Sequence, residues 1–365
     1  MKRLPDDIHL SRFVLKGFKS IAACDLELGS LNIFIGPNGA GKTNFVEFFK
    51  MIRQMLEGNL QLYVSRQGGP DALLHFGRKK TEKIDAQLYF GNNGYFCTLE
   101  PTKDNRLMFT NEAFWQNGSP GQVTIGSGHF ETRSGEENDA GIARFVHPNM
   151  QQWRVYHFHD TSDTSFVKQR HAINDNSYIR PDARNLAAFL YLLKQVHSAH
   201  YRKIVNTIRL AAPFFGDFHL RPQPDNKDLI ELEWTEKGQD IPFKAHHLSD
   251  GTLRFICLAA VLLQPEEYQP SSILIDEPEL GLHPYAITVL ASLLKSTALK
   301  KQIIISTQSV DLVSEFDPED LVVVDRKEGE SVFSRLEDEK LRDWLQEYSL
   351  GELWKKNLFG GRPIR

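Results

Sequence analysis

A glycine-rich turn between a buried strand and a helix constrains this chain more than any other feature. Residues 31–35 form a short apolar run, which predicts a strand buried on both faces. The turn at 36–41 follows, and apolar residues then recur at helical spacing between 42 and 56. The order strand, glycine turn, helix predicts an α/β chain whose turn lies at the carboxyl end of a strand.

The turn carries a pattern that favours anion binding. It matches GxxxxGK[ST] in the required context, after a strand and at the start of a helix. Glycines let consecutive backbone N–H groups turn inward around a phosphate, and the helix N-terminus adds a favourable dipole. We expect Lys42 to reach the β- and γ-phosphates of ATP and the Thr43 hydroxyl to ligate Mg²⁺. The expected nucleotide-binding residues are Gly36, Pro37, Asn38, Gly39, Ala40, Gly41, Lys42 and Thr43.

Strands and helices alternate in the final third of the chain. Strands are predicted at 272–275, 302–306 and 321–324, and helices at 252–263, 284–294 and 310–316. Such alternation indicates a parallel sheet with helices on both faces. Residues 57–150 form a β-rich insert instead, with a hairpin at 84–90 and 95–99 and a loop at 117–139. Two consecutive helices are predicted between 185 and 211.

Two adjacent carboxylates end the predicted strand at 272–275. Asp276 follows the strand directly, where a phosphate-binding site needs one acid to hold Mg²⁺. Glu277 leaves the pleat in another direction and can act as general base on the attacking water. The alternative is an ordinary strand that ends in a solvated acidic turn.

Two further polar segments lie near this strand in the sequence. Ser249 and Gly251 belong to Leu-Ser-Asp-Gly-Thr, which precedes a helix and can direct free N–H groups at an anion. Gln308 follows the predicted strand at 302–306 and could sense the γ-phosphate or hold the attacking water. The alternatives are a plain helix cap and a plain polar turn.

Four segments resemble, in the correct order, the motifs of ABC-type ATPases. GPNGAGKT, LSDGT, ILIDEPELGLHP and IISTQS are similar to the Walker A, signature, Walker B with D-loop, and switch motifs of the RecF/SMC-like branch, which includes compact bacterial ATPases labelled AAA family. The opening residues 13–20 resemble the first strand pair of that branch. At two positions the sequence differs from the motifs of ABC transporters. The signature reads Ser-Asp-Gly, and Gln308 stands at the switch position where transporters have histidine.

The resemblance implies a single ABC-type head of the P-loop class without coiled-coil arms. It has a mixed-sheet lobe at about 1–160 and 265–340, a helical lobe at about 161–264, and C-terminal helices at 338–359. It also implies a homodimer that sandwiches two ATP molecules. Ser249 and Gly251 of one protomer would then contact the γ-phosphate bound by Lys42 of the other, and residues 281–284 would form the D-loop that reaches across to the second protomer.

Composition narrows the class of protein. Net charge is −4, apolar residues make up 41%, and no run approaches the ~20 apolar residues that a membrane span needs. Cys24, Cys97 and Cys257 form no CxxC pair. We therefore expect a cytoplasmic protein without disulfides or a zinc site.

Weaker signals leave alternatives open. His157 and His159 near Asp160 could bind a metal, or this segment could couple the γ-phosphate to the helical lobe. The run 78–80 with Lys83, and the trio Arg180, Arg184 and Lys194, could contact DNA or be a solvated surface.

Three functions remain in competition on the sequence alone. The first is an ATP-gated dimeric switch in DNA repair or anti-phage defence. The second is a sensor protein that holds or activates a separate nuclease or toxin encoded nearby. The third, the nucleotide-binding component of a transporter, is disfavoured by the β-rich insert.

Overall fold

The computed structural model describes residues 9–118, 121–136, 141–336, 347–358 and 360. Its strands are β1 Arg12–Phe18, β2 Ile21–Glu27, β3 Leu31–Ile35, β4 Ile84–Phe90, β5 Asn93–Pro101, β6 Leu107–Gln116, β7 Gln122–Gly126, β8 Arg154–Tyr156, β9 His171–Ala172, β10 Phe215–Phe218, β11 Leu229–Ile230, β12 Glu233–Glu236, β13 Phe243–Lys244, β14 Ser272–Asp276, β15 Gln302–Thr307, β16 Leu321–Lys327 and β17 Glu330–Arg335. Its α-helices are α1 Lys42–Leu56, α2 Leu60–Arg66, α3 Pro70–Leu73, α4 Ala143–Gln151, α5 Leu186–Val196, α6 Ser198–Ala211, α7 Asp250–Leu263, α8 Pro284–Ala298, α9 Val310–Val313 and α10 Leu350–Lys355.

The chain divides into two compact units. The first comprises Met1–Val155, Ser271–Leu274 and Leu299–Arg365, and the second comprises Tyr156–Pro270 and Ile275–Ala298. These units differ from the predicted lobes mainly at Ile275–Ala298, which the sequence assigned to the mixed-sheet lobe. The physical reason is that α8 buries one apolar face and packs against α6 and α7 of the second unit. The functional division into lobes stays a prediction.

A mixed sheet in the first unit carries the glycine turn. Its strand order is β17-β16-β3-β15-β14-β8, of which the last residues of β14 and β8 belong to the second unit. The central strand β3 runs parallel to β15 and β16, and β17 returns antiparallel to β16. All five residues of β3 are buried, as expected for a strand with neighbours on both edges. The predicted mixed sheet is confirmed.

The same unit also contains an antiparallel sheet in the order β2-β1-β4-β5-β6-β7. The predicted hairpin is its β4–β5 pair. The prediction of a loop at 117–139 was wrong in part, because β7 pairs with β6 inside it. Val123 and Ile125 of β7 pack against the core, a two-residue alternation that the surrounding glycine and serine residues hide. Phenylalanines of β1 and α1 share this core, with ring centroids of Phe13 and Phe45 4.8 Å apart.

Helices dominate the second unit. The predicted pair at 185–211 is α5 and α6, separated at His197. Helix α7 is buried almost throughout from Leu253 to Leu263, because α5, α6 and α8 all pack against it. Short strands form two small antiparallel sheets, β10-β12-β13 and β11-β9.

The C-terminal segment contains one described helix. Of the predicted helices at 338–359, α10 is seen and packs against α9, while residues 338–346 and 359 lie outside the described residues. In the part of the chain that the structure describes, no helix combines the length and apolar character that crossing a membrane requires.

Candidate functional site

The phosphate loop (residues 36–43) leaves the end of β3 and enters α1. Gly39 and Gly41 adopt positive φ angles of 79° and 114°, a region that side chains other than glycine rarely occupy. Gly41 is the N-cap of α1, and no side chain of the described residues caps the N–H groups of the first helical turn. These N–H groups are donors at the positive end of the helix dipole, which suits an anion.

At two of the loop glycines, neighbouring strands leave no space for a side chain. A Cβ on Gly36 would lie 2.2 Å from the carbonyl oxygen of Val324 in β16. A Cβ on Gly41 would lie 1.9 Å from Oγ of Ser331 in β17. Real Cβ atoms do not approach other atoms so closely. The β16–β17 pair therefore presses against the back of the loop and fixes its backbone.

The carbonyl oxygens of the loop accept hydrogen bonds from two cationic side chains and one hydroxyl. Lys42, only 6% exposed, donates from Nζ to the carbonyl oxygens of Gly36 at 2.7 Å and Pro37 at 3.1 Å. Arg326 donates to the Gly39 carbonyl at 3.0 Å, and the Ser331 hydroxyl donates to the Ala40 carbonyl at 2.6 Å. Because the carbonyls bond to these groups, the electronegative side of the loop is neutralised and the amide side remains for a phosphate.

Gln308 follows the strand beside the loop. The parallel pairing of β15 with β3 sets Thr307 opposite Ile35, so both strands end at the same edge of the sheet. Gln308 comes next and is partly exposed. The Thr307 hydroxyl accepts from Ser309 N at 3.0 Å, and Ser309 caps α9. Gln308 and Gly36 thus leave neighbouring strands at one edge.

Asp276 and Glu277 belong to the second unit. Asp276 is the last residue of β14 and is 6% exposed. Glu277 has a φ of 45°, a left-handed conformation that costs a residue with a Cβ on the order of 1 kcal/mol. The backbone therefore leaves the extended conformation of β14 at Glu277.

Ser249 and Gly251 begin α7 of the same unit. Ser249 is exposed and accepts from Thr252 N at 3.2 Å, so it is the helix N-cap. A Cβ on Gly251 would lie 2.1 Å from the carbonyl oxygen of Gly281. Gly251 thus permits contact between the first turn of α7 and the D-loop-like turn of its own chain.

Sequence reasoning missed Arg254, which connects α7 to two other segments of the second unit. Its guanidinium donates at 2.9 Å to the carbonyl oxygens of Phe158, His159 and Leu280, and at 3.3 Å to the Thr161 hydroxyl. The His159 ring nitrogen Nε2 lies 3.0 Å from the Asp276 carbonyl oxygen. We call Arg254, residues 158–161 and residues 276–281 the Arg254 cluster. The available signal was a single basic residue in α7, between the buried Leu253 and Phe255.

The histidine pair lies beyond the end of β8, and most of the basic residues form ion pairs. The imidazoles of His157 and His159 contact each other at 5.0 Å, beyond the end of β8 at Tyr156. Within the described ranges, no three or more His, Cys, Asp or Glu side chains gather to hold a metal ion. Most of the basic residues named above pair with acids: Arg78 with Asp71, Lys83 with Asp85, Arg180 with Asp175, Arg184 with Asp182 and Lys194 with Asp217. These pairs favour the solvated surface.

Cys24, Cys97 and Cys257 are free and buried. Burial raises the pKa of the Cys24 and Cys257 thiols to about 12.

The predicted site residues of each unit carry donor types that a magnesium nucleotide uses. The phosphate loop offers uncapped backbone amides and the Lys42 ammonium. Thr43 offers an exposed hydroxyl oxygen and Asp276 a carboxylate. Hydroxyl and carboxylate oxygens are the hard ligands that Mg²⁺ prefers.

Comparison with families of known sequence matches residues 31–314 to one described as "AAA domain, putative AbiEii toxin, Type IV TA system". No protein with a curated function matches the chain.

Solved structures of Smc head domains are similar in fold. A head bound to the C-winged helix domain of ScpA superposes with a TM-score of 0.61 at 19% identity, over 91% of this chain and 99% of that chain. A head with an extended coiled coil from Pyrococcus furiosus, bound to the C-terminal domain of ScpA, gives 0.62 at 16% identity, over 93% and 99%. A head with coiled coil and joint from Pyrococcus yayanosii gives 0.57 at 13% identity, over 93% and 99%. At these identities the likeness establishes the fold alone.

Proposed function

The chain belongs to the AAA domain family described as putative AbiEii toxin, Type IV TA system, it has the fold of an ABC-type ATPase head, and on this basis we propose that it binds and hydrolyses ATP as a nucleotide-gated dimer. The observation that carries the proposal is the phosphate loop. It begins α1 without a side-chain cap and turns its carbonyl oxygens to Lys42, Arg326 and Ser331. A backbone arranged in this way suits a polyphosphate.

In this proposal each residue of the site has its own role. The loop amides and Lys42 bind the phosphates, and Thr43 and Asp276 hold magnesium. When bound, magnesium neutralises charge on the phosphate oxygens. Glu277 orients the attacking water and accepts its proton, and Gln308 holds the same water or senses the γ-phosphate.

The Arg254 cluster contacts the backbone of the segment that carries Asp276 and Glu277. Arg254 fixes the backbone of residues 158–161 and of Leu280, and His159 contacts the backbone of Asp276. Its bonds run from the helix of Ser249 and Gly251 to the turn that carries Glu277. We propose that this arrangement couples the signature segment to the general base.

For dimerisation, the proposal assigns an exposed surface of the second unit. Ser249, Leu280, His283 and Tyr285 are all exposed, and Leu280 and Tyr285 are large apolar side chains at 40% and 55% exposure. We propose that Ser249 and Gly251 of one protomer contact the γ-phosphate bound by Lys42 of its partner. Exposed apolar groups beside a polar loop are typical of an interface.

The general base can be tested with Glu277→Gln. The amide cannot accept the proton, so ATP should remain bound and trap a dimer, detected by light scattering with and without ATP. Glu267→Gln, a surface acid paired with His197, is the matched control. A Glu277→Gln protein that stayed monomeric with ATP and hydrolysed it at the wild-type rate would contradict the assignment.

The shared site can be tested by mixing two inactive variants. Lys42→Ala removes phosphate binding, and Ser249→Arg blocks the signature at an exposed position. Mixed dimers contain one intact pair of half-sites, so part of the ATPase activity should return. If the mixture stayed as inactive as each variant alone, the sandwich arrangement would be wrong.

A second candidate is a sensor that holds or activates a separate toxin or nuclease. The family description, which names a putative toxin of a type IV toxin–antitoxin system, favours it. In that case the nucleotide-bound shape matters more than turnover, and Glu277→Gln should retain the biological effect. Co-purification with the product of a neighbouring gene distinguishes this candidate from a switch that acts alone in DNA repair or anti-phage defence.

A further inference from the structure

The helix α10 packs on the segment that follows Gln308. Both α9 and α10 belong to the first unit, and the two helices contact each other. Helix α9 has four residues and α10 has six, and isolated helices of these lengths are unstable in water. Leu350, Leu353 and Trp354 of α10 are buried. Packing, including the packing of one helix on the other, therefore stabilises both.

Gly351 lets the two helices approach closely. A Cβ on Gly351 would lie within 2.6 Å of the carbonyl oxygen and Cγ1 of Val310 and of the Ser314 hydroxyl. Gly351 lies inside a regular helix, so the glycine is needed for space and not for its backbone conformation. The Ser314 hydroxyl donates to the Val310 carbonyl at 2.9 Å and lies 3.5 Å from that of Ser349, the N-cap of α10. The first turn of α10 therefore rests on the backbone of Val310, two residues after Gln308.

Gln308 lies between two fixed points of the backbone. Thr307 before it is the last residue of β15 and is fully buried. Its hydroxyl accepts from Ser309 N at 3.0 Å, and the Ser309 side chain in turn accepts from Leu312 N at 3.2 Å as the cap of α9. Strand β15 thus fixes the chain before Gln308, and α9 fixes it after. A displacement of α9 would reach Gln308 through one intervening residue.

We propose that Gly351 is a positioning residue for Gln308. It lets α10 hold α9, and α9 sets the direction in which the Gln308 side chain leaves the end of β15. This inference rests on the proposed function, in which Gln308 holds the attacking water or senses the γ-phosphate. The residues matched to the family, 31–314, include α9 and end before α10. Helix α10 is therefore a support for the site that the family match does not include.

The test measures kcat for ATP and, by calorimetry, the affinity for inorganic tripolyphosphate with Mg²⁺, which reports the phosphate loop alone. Gly351→Ala adds a Cβ where Val310 and Ser314 lie. Helix α9 should shift and kcat should fall about 10-fold, because catalysis is sensitive to small misplacements of a catalytic group. Tripolyphosphate affinity should be unchanged, since the substitution lies outside the loop. Gly121→Ala is the matched control, because its Cβ would have no atom within 4 Å.

A double-mutant cycle separates positioning from a general effect on the fold. In a Gln308→Ala background, Gly351→Ala should lower kcat no further, because a residue that acts through the Gln308 side chain has no effect once that side chain is removed. Effects that multiply in the double variant would show that α10 acts on turnover by another route, and the positioning proposal would be overturned.

Leu353→Ala guards against a Gly351→Ala protein that fails to fold. It shortens a fully buried side chain of α10 and adds no atom beside α9. It should reproduce the loss of kcat, and the loss should again disappear in the Gln308→Ala background. Wild-type kcat in folded Gly351→Ala and Leu353→Ala proteins, or tripolyphosphate affinity that falls in step with kcat, would also overturn the positioning proposal.

Failure of the proposed function itself has a different signature. If Gln308→Ala kept the wild-type kcat, the role proposed for Gln308 would be wrong and Gly351 could not act through it. If the wild-type protein neither bound nor hydrolysed ATP, the proposed function as a whole would fail.

Discussion

The phosphate loop and the Arg254 cluster hold functional groups by opposite means. The loop positions backbone amides, and what fixes it is close approach: Gly36 and Gly41 leave no room for a side chain beside Val324 and Ser331. The Arg254 cluster is held together by one side chain, which donates to three carbonyl oxygens and a hydroxyl. The conformation of the loop requires residues without a side chain at Gly36 and Gly41. The conformation of the cluster requires the guanidinium of Arg254.

The two regions should therefore respond differently to substitution. Added atoms should distort the loop, whereas removed atoms should loosen the cluster. Changes in the loop should affect binding of any polyphosphate. Changes in the cluster should affect turnover while the loop retains its affinity. Four sets of variants test this contrast, in order of decreasing effect.

Lys42→Ala should weaken ATP binding on the order of 100-fold, because a charge-assisted contact to the phosphates is lost. Tripolyphosphate binding should weaken by a similar factor, since the contact does not involve the base. Isothermal calorimetry measures both ligands. Lys50→Ala, a change on the same helix outside the loop, serves as the control. Binding within a few-fold of wild type would show that Lys42 is not the phosphate ligand.

Gly36→Ala should lower the free energy of unfolding by about 3 kcal/mol, because the new Cβ overlaps the Val324 carbonyl. Phosphate binding should fall with it. Gly29→Ala is the matched control, since its Cβ would lie 3.7 Å from the nearest atom. Urea unfolding gives the comparison, and a Gly36→Ala protein as stable as Gly29→Ala would contradict the close-approach account.

Arg254→Ala should lower the free energy of unfolding by about 2 kcal/mol, because carbonyl oxygens lose a charged donor. ATP turnover should also fall, while tripolyphosphate affinity is retained. Arg254→Lys should recover little, since an ammonium cannot reach carbonyls fixed for a planar fork. Arg202→Ala on α6 is the control. If tripolyphosphate binding weakened in step with turnover, the proposed independence of the two regions would be lost.

Ser249→Ala should cost about 1 kcal/mol of stability, the usual loss for a helix N-cap. Ser249→Asp should retain the cap and keep stability near wild type. The pair separates capping from nucleotide contact, because the carboxylate would repel a γ-phosphate. ATPase activity lost in both variants supports the phosphate role, and activity kept in Ser249→Asp would restrict Ser249 to capping.

Much of the fold followed from patterns in the sequence. The strand–turn–helix at 31–56 and the alternating segments after 250 were predicted because apolar periodicity reports burial locally. β7 was missed, and its alternation is short and surrounded by turn-forming residues. The unit to which Ile275–Ala298 belongs also differed from the predicted lobe. The apolar residues of α8 predict that one face is buried, but they do not specify that α6 and α7 cover it.

The phosphate loop could be identified from the amino-acid order alone, since its eight residues are contiguous and their chemistry is local. The contacts of Arg254 and Ser331 emerged only from the folded chain. Arg254 meets the His159 carbonyl across 95 residues of sequence, and Ser331 meets Ala40 across 291. A contact between distant residues depends on where folding brings two backbones together, and neither residue alone carries a pattern that specifies its partner.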